Sequence, residues 1–212
     1  IFSALLFLKS IKESELSLTI PLLSFSPFFS SIFSSIFLKE ELSLVQYTGI
    51  FGIILGTLIL YSKGLELKKL LKSFKTISNN KSAKFMILVS VCWSLTPVLD
   101  KICLQHSSIN IHGLIQSFFT FVILYFLSSN KQKQKNIFKN YRIIFITTII
   151  GTVATITQFY AILLNFVPIM ESIKRAIGQF SAVLFGRLFF NEKITIQKIF
   201  GISFISFGVN MI

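Results

Sequence analysis

Long uncharged runs alternate with short, mostly basic segments along the chain. Residues 16–38 form 23 uncharged positions between Glu15 and Lys39, and residues 42–62 form 21 more before Lys63. Either run is long enough to cross roughly 30 Å of hydrocarbon as a helix, even with Pro21 and Pro27 bending the first. Further spans are predicted at 85–104, interrupted by Pro97 and by Asp100-Lys101, and at 111–127, 143–164, 168–190 and 194–212. Residues 1–8 are apolar but too short to cross, and resemble the tail of a helix whose beginning is missing; the chain starts with Ile1 and is expected to be truncated at its N-terminus.

The pattern predicts an all-α polytopic membrane protein with about seven transmembrane helices plus a partial one. Residues 63–84 hold seven lysines and one glutamate and form the longest connection, so they are the expected domain boundary. Lys and Arg divide 17 to 4 between alternate connections, which orients the 63–84 and 131–142 loops toward the cytoplasm and Ile212 to the other side. The expected location is the cell membrane.

Composition sharpens this. Of 212 residues, 53% are hydrophobic and only 14% charged, against roughly a quarter charged in soluble domains. The mean hydropathy is +0.75. A net charge of +13 raises the question of nucleic acid, but a nucleic-acid footprint needs a basic face on a folded surface, whereas these cations are scattered between bilayer-length runs. Cys92 and Cys103 lie on one predicted helix, about 16 Å apart at 1.5 Å per residue, too far to bond each other.

Internal repetition is the most specific signal. Residues 37–49 reappear 152 positions later as residues 189–201. Phe37/Phe189, Glu40/Glu192, Leu42/Ile194, Ser43/Thr195, Leu44/Ile196, Gly49/Gly201 and Gly56/Gly208 align without a gap. In each copy a helix ends at an acid, a Ser or Thr caps the next helix, and glycines allow close packing. Five predicted spans separate Gly49 from Gly201, so the copies should be inverted, the build of secondary transporters that hold substrate between their halves.

These repeat ends, together with Val91-Cys-Trp93-Ser-Leu-Thr-Pro97-Val-Leu-Asp-Lys101, Phe159-Tyr-Ala161 and Ile173-Lys-Arg175, resemble the EamA-like drug/metabolite transporter superfamily. Members carry two inverted five-helix repeats, so the resemblance implies an incomplete first repeat at 1–62, a basic linker at 63–84 and a whole second repeat at 85–212. It also implies transport of a small molecule. Many members have both termini in the cytoplasm, whereas the cation distribution here puts Ile212 outside.

Glu171, Lys174 and Arg175 interrupt an apolar span at i, i+3 and i+4, one helical face extended by Gly178, Ser181 and Ala182. Each charge costs about 2.5–3.5 kcal/mol at the bilayer centre, so such residues are paired, hydrated or functional. The functional reading has Lys174 or Arg175 bind an anionic group, with Glu171 as counter-charge or proton carrier; the alternative is a structural ion pair with snorkelling cations. The Lys-Arg pair also resembles that of the plant triose-phosphate translocators, which implies an anion or organophosphate.

Trp93, Ser94 and Thr96 precede the Pro97 kink and could line a pathway, as could Gln158 and Tyr160 in the fifth span. Ser26, Ser30 and Ser34 form an i, i+4, i+8 stripe that suits close packing and a polar pathway equally well. Asp100 and Lys101 read as helix-end residues, Glu40 and Glu192 as hairpin structure, and His106 and His112 as surface residues, with no metal-ligand spacing.

The leading function is a secondary transporter of a small polar or anionic metabolite, working by alternating access in the bilayer with a coupling proton or counter-substrate and no cofactor. An intramembrane enzyme would need a nucleophile with its base, an H-E-x-x-H helix or a clustered acid pair, and none is written in the sequence. A structural subunit whose basic loops bind anionic lipid is the third reading.

Overall fold

The computed structural model describes residues 1–13, 20–61, 81–127, 141–191 and 193–212. Among them are eight helices and no strand: α1 (Phe2–Glu13), α2 (Ser26–Leu38), α3 (Leu44–Tyr61), α4 (Lys81–Gln105), α5 (Ile109–Leu127), α6 (Tyr141–Leu164), α7 (Val167–Phe190) and α8 (Ile196–Asn210), with a 3-10 turn over Ile20–Phe25 before α2. The expected basic loops fall mostly outside the described residues, as does Glu192. Residues 81–84, expected in the loop, are the first turn of α4.

Four helices, α3 to α6, are long and apolar enough to cross a membrane. The other predicted spans fall short for identifiable reasons. The run 16–38 is not one helix: α2 begins only at Ser26, with Pro27 in its first turn, and a 3-10 segment holding Pro21 precedes it. Proline lacks the N–H an α-helix interior needs and suits a helix start. Helix α7 has the length, but carries Glu171, Lys174, Arg175 and Arg187. Helix α8 has only 15 residues and packs along α3 from Gly49 to Leu60.

The described residues form two units. The first comprises Ile1–Val98 and Phe166–Ile212, the second Leu99–Asn165.

In the first unit α3 and α8 meet through glycines. A Cβ placed on Gly49 would stand 2.7 Å from the carbonyl oxygen of Gly208, and one on Gly56 would stand 2.7 Å from that of Gly201. Reciprocally, a Cβ on Gly208 would lie 2.5 Å from the Gly49 oxygen and one on Gly201 2.9 Å from the Gly56 oxygen. Only hydrogen in place of a side chain permits backbones this close. The beginning of α3 thus meets the end of α8, so the helices are antiparallel. The aligned pairs Gly49/Gly201 and Gly56/Gly208 exchange partners, as a two-fold axis requires of an inverted repeat. Ile53, Leu60, Ala176 and Ile205 form the adjoining core.

The repeat extends to the helix ends. Lys39 and Asn191, 152 positions apart, close α2 and α7 in the left-handed conformation (φ 55° and 52°) and cap the carbonyls of Ser34 and Gly186, which are 152 positions apart as well. Ser43 and Thr195 open the next helices. Gln46 and Ser43 bond reciprocally as a capping box, and Thr195 accepts from the Lys198 N–H.

In the second unit, α5 buries none of its residues and α6 only Phe159 and Ile162. Phe118, Phe119, Phe121, Ile146 and Ile150 are among the exposed apolar side chains. Such outward faces suit hydrocarbon rather than water. Four threonines of α6 agree: Thr147, Thr152, Thr155 and Thr157 each donate to a carbonyl four residues back, which satisfies these hydroxyls within the helix.

Candidate functional site

The charges of α7 form a cluster in the first unit. Val167, Glu171, Arg175 and Gln179 follow one another at four-residue intervals and share a face of the helix. Phe166, the residue before α7, offers no side-chain cap. Its place is taken by Glu40, whose buried Oε2 accepts the Val167 N–H at 2.9 Å and also the Ser34 hydroxyl. A carboxylate at a helix N-terminus satisfies an orphan donor and meets the positive end of the helix dipole. Glu40 is therefore hairpin structure, as its place at a helix end suggests, and it also ties α2 to the start of α7 across 127 positions.

The two neighbouring cations have different surroundings. Lys174 pairs with Glu171 Oε1; its side chain is 41% exposed while that of Glu171 is 1% exposed. Arg175 donates from Nε to Ser26 Oγ at 3.0 Å and lies over the Trp93 ring, 5.8 Å from its centroid. An arginine so placed gains from the ring quadrupole while its flat face is shielded. Arg175 makes no hydrogen bond through its terminal amino groups among the described residues. Lys174 is thus neutralised locally, whereas Arg175 keeps most of its donors available.

Acceptors complement them. Among the described residues, the buried side-chain polar atoms without a partner are Ser90 Oγ, Glu171 Oε2 and Gln179 Oε1, all in the first unit. Buried polar atoms are nearly always satisfied in folded proteins, so these mark places where water or a ligand is expected. Glu171 and Gln179 flank Arg175 one turn to either side.

Helix α4 supplies the aromatic wall. Trp93 Nε1 donates to Ser3 Oγ at 3.1 Å, and Phe7 packs on the ring with centroids 5.1 Å apart. Pro97 sits inside this helix. It has no N–H to give the carbonyl of Trp93, four residues earlier, so that carbonyl lacks its helical partner. Ser94 and Thr96 bond back to the carbonyls of Val91 and Cys92. Ser26, Ser30, Ser31 and Ser34 are buried, which makes the α2 stripe a packed face. Ser26 is its member committed to Arg175.

Glu171, Arg175 and Trp93 are thus brought together with Lys174 at the margin. Gln158 and Tyr160 are not among the partners of Arg175; they belong to α6 in the second unit, where Tyr160 is exposed and Gln158 half-buried.

Two residues read from the sequence as peripheral are placed otherwise. His112 is not at the surface: its Nε2 lies 3.1 Å from Asp100 Oδ1, and its ring meets Phe159 edge to face with centroids 5.0 Å apart. Asp100 is 7% exposed and not simply a helix-end residue. Gln116 reaches the same oxygen at 3.5 Å, and Lys101 donates to the Asn165 carbonyl at 2.7 Å. A signal for this pairing exists in the sequence: Asp100 and His112 stand at similar distances from the polar turn 106–108, and a helical hairpin brings such positions side by side. His106, within the turn, is exposed. Cys92 and Cys103 are free thiols on α4.

The sequence model of the EamA-like transporter family matches residues 1–62 and 80–212. No curated protein matches the chain.

Proposed function

The chain belongs to the EamA-like transporter family, a family of membrane transporters of the drug and metabolite type, and on that premise we propose that it is a secondary transporter that binds a small polar or anionic metabolite on the Glu171–Arg175–Gln179 face of α7. The observation carrying this reading is the pairing of opposites on one face: open donors on Arg175 beside buried, unpartnered acceptors on Glu171 and Gln179.

Arg175 takes the anionic group of the substrate through its terminal amino groups, where two parallel charge-assisted bonds are available. Trp93 holds the guanidinium from behind and Ser26 fixes Nε, so the fork is set before the substrate arrives. Glu171 Oε2 and Gln179 Oε1 accept from substrate hydroxyl or amino groups. Lys174 offsets the Glu171 charge, so an empty site keeps the helix from carrying an unpaired buried carboxylate. The repeats, 1–62 and 81–212, supply the two halves of an alternating-access cycle, with the chain between them crossing on the cytoplasmic side of the cell membrane.

Reconstituted protein, screened for saturable uptake of labelled anionic and zwitterionic metabolites, tests this reading. Arg175→Gln and Glu171→Gln should abolish uptake at normal insertion, and Lys174→Gln should weaken it less. Uptake that survives all three substitutions would make these charges structural and move the search to Gln158 and Tyr160.

A further inference from the structure

The second unit holds a buried carboxylate and imidazole that the substrate site does not use. We infer that Asp100 and His112 form a proton-binding site, and that the proton it takes up and releases is the one coupled to transport.

The pair is built from two helices. Asp100 lies one turn before the end of α4 and His112 in the first turn of α5, on either side of the exposed turn 106–108. Asp100 Oδ1 faces His112 Nε2 at 3.1 Å and Gln116 Nε2 at 3.5 Å. The His112 side chain is 14% exposed and that of Asp100 9%. Helix α6 closes the imidazole with Phe159, itself 1% exposed. The pair is thus sheltered from bulk water and lies near a helix end that water can reach.

Its chemistry is that of a proton store. Neutral imidazole donates from Nε2 to the carboxylate and leaves the pair with one negative charge; a proton added at Nδ1 makes an ion pair of zero net charge, without a change of partner. Each proton taken up therefore cancels the charge of a sheltered carboxylate, which in low dielectric is a large energetic change. Among the described residues, neighbours of the pair come from α4, α5 and α6. From α4, Lys101 is adjacent in sequence, and its Nζ donates to the Asn165 carbonyl at 2.7 Å, just beyond the end of α6. From α5 comes the uncharged Gln116 and from α6 the apolar Phe159. Ion paths inside membranes use such carboxylate and histidine relays because few other side chains change charge near neutral pH.

Coupling to transport rests on the transporter reading above; proton binding by the pair does not, and it is measured without any substrate. Full-length protein reconstituted on a solid-supported membrane is given a pH jump from about 7.5 to about 6, across the range in which imidazole charges. Native protein and Arg175→Gln should both give a transient charge displacement, as should His106→Gln. His112→Gln and Asp100→Asn should lose most of it while eluting normally by size exclusion. In parallel, His106→Gln leaves His112 as the sole histidine of the described chain, and its ring resonances are followed from pH 5 to pH 8 in nanodiscs. Movement between neutral and protonated positions supports the site even if the His112 variant does not fold. A ring that keeps one form across that range, or a native-sized current in His112→Gln, overturns it. Loss of metabolite uptake in Arg175→Gln with the proton current retained separates the two sites; a current lost only with Arg175 would transfer the proton to the substrate face and overturn this assignment.

Discussion

Two interfaces join the repeats, and they are built in opposite ways. Between α3 and α8 the same residues appear on both sides: Gly49 and Gly56 meet Gly208 and Gly201 crosswise, backbone against backbone. Between α2 and α7 the symmetry stops at the main chain. The left-handed caps at Lys39 and Asn191 agree, but Glu171, Lys174 and Arg175 stand 152 positions after Thr19, Leu22 and Leu23, and Ser26 stands 152 before Gly178. The repeated residues make the interface that holds the halves together. Those that differ between the copies carry the polar chemistry. Symmetry supplies packing here, and the proposed substrate face lies where it is locally lost.

Substitutions in the glycine seam should break this comparison most visibly. Gly208→Ala puts a methyl 2.5 Å from the Gly49 oxygen and 2.8 Å from the Ile53 nitrogen, both backbone atoms with little room to move. It should cost about 1–3 kcal/mol or more, read as loss of monodisperse protein in size exclusion. Gly52→Ala, whose methyl would stand 3.3 Å from the Gly208 Cα, should cost less, and Gly151→Ala, with no atom within 4 Å, should be neutral or stabilising by up to about 1 kcal/mol. Equal damage at Gly151 and Gly208 would sink the distinction between seam and open helix.

On the other interface the expected effect lies in binding rather than stability. Arg175→Gln should lower apparent substrate affinity by about tenfold or more, the scale of one charge-assisted hydrogen bond, with a melting temperature close to native. Arg175→Lys should recover only part of it, since an ammonium lacks the planar fork. A variant that melts early and binds normally would make Arg175 a packing residue.

Glu40→Gln addresses the carboxylate that reaches from the first repeat to the start of α7. The amide can still accept from Val167, but the charge at the helix terminus is lost, an effect of about 0.3–1 kcal/mol, seen as a fall of a few degrees in melting temperature. Smallest of all, Ser43→Ala and Thr195→Ala should each cost about 1 kcal/mol or less, with Ser43→Ala the more costly because its cap is a reciprocal box with Gln46. Equal costs would show that the Gln46 half of the box adds nothing.

Much of this architecture is legible in the chain. Helices α4 to α8 begin and end within a few residues of the predicted spans, because hydrocarbon demands the same length of apolar sequence wherever it is crossed. The glycine alignment was visible too, but not that Gly49 would touch Gly208 rather than Gly201; alignment reports equivalence, while contact follows from the antiparallel approach. The break before Ser26 was hidden because counting uncharged residues ignores the N–H that proline lacks.

The candidate site was legible only in part, for a related reason. Spacing along α7 brings Glu171 and Arg175 to one face, but which of Lys174 and Arg175 is left with open donors depends on Ser26 and Trp93, partners 149 and 82 positions away. Gln158 and Tyr160 stood out only because polar residues are uncommon in spans, a signal that locates no partner. Asp100 reads from the sequence as a helix-end residue and His112 as a surface one, and their pairing emerges only when the hairpin is closed.

The crosswise glycine contacts carry an evolutionary consequence. An interface in which every residue meets the counterpart of its partner is the kind that two identical, separately encoded subunits make by self-association. In such a homodimer any mutation strikes twice, so an arginine placed on one side of the axis necessarily confronts its own copy on the other. Joining the copies in one polypeptide removes that coupling, and each half can then diverge alone. Arg175 beside Trp93, with a leucine at the equivalent position of the first repeat, is an arrangement that two copies of one subunit cannot hold.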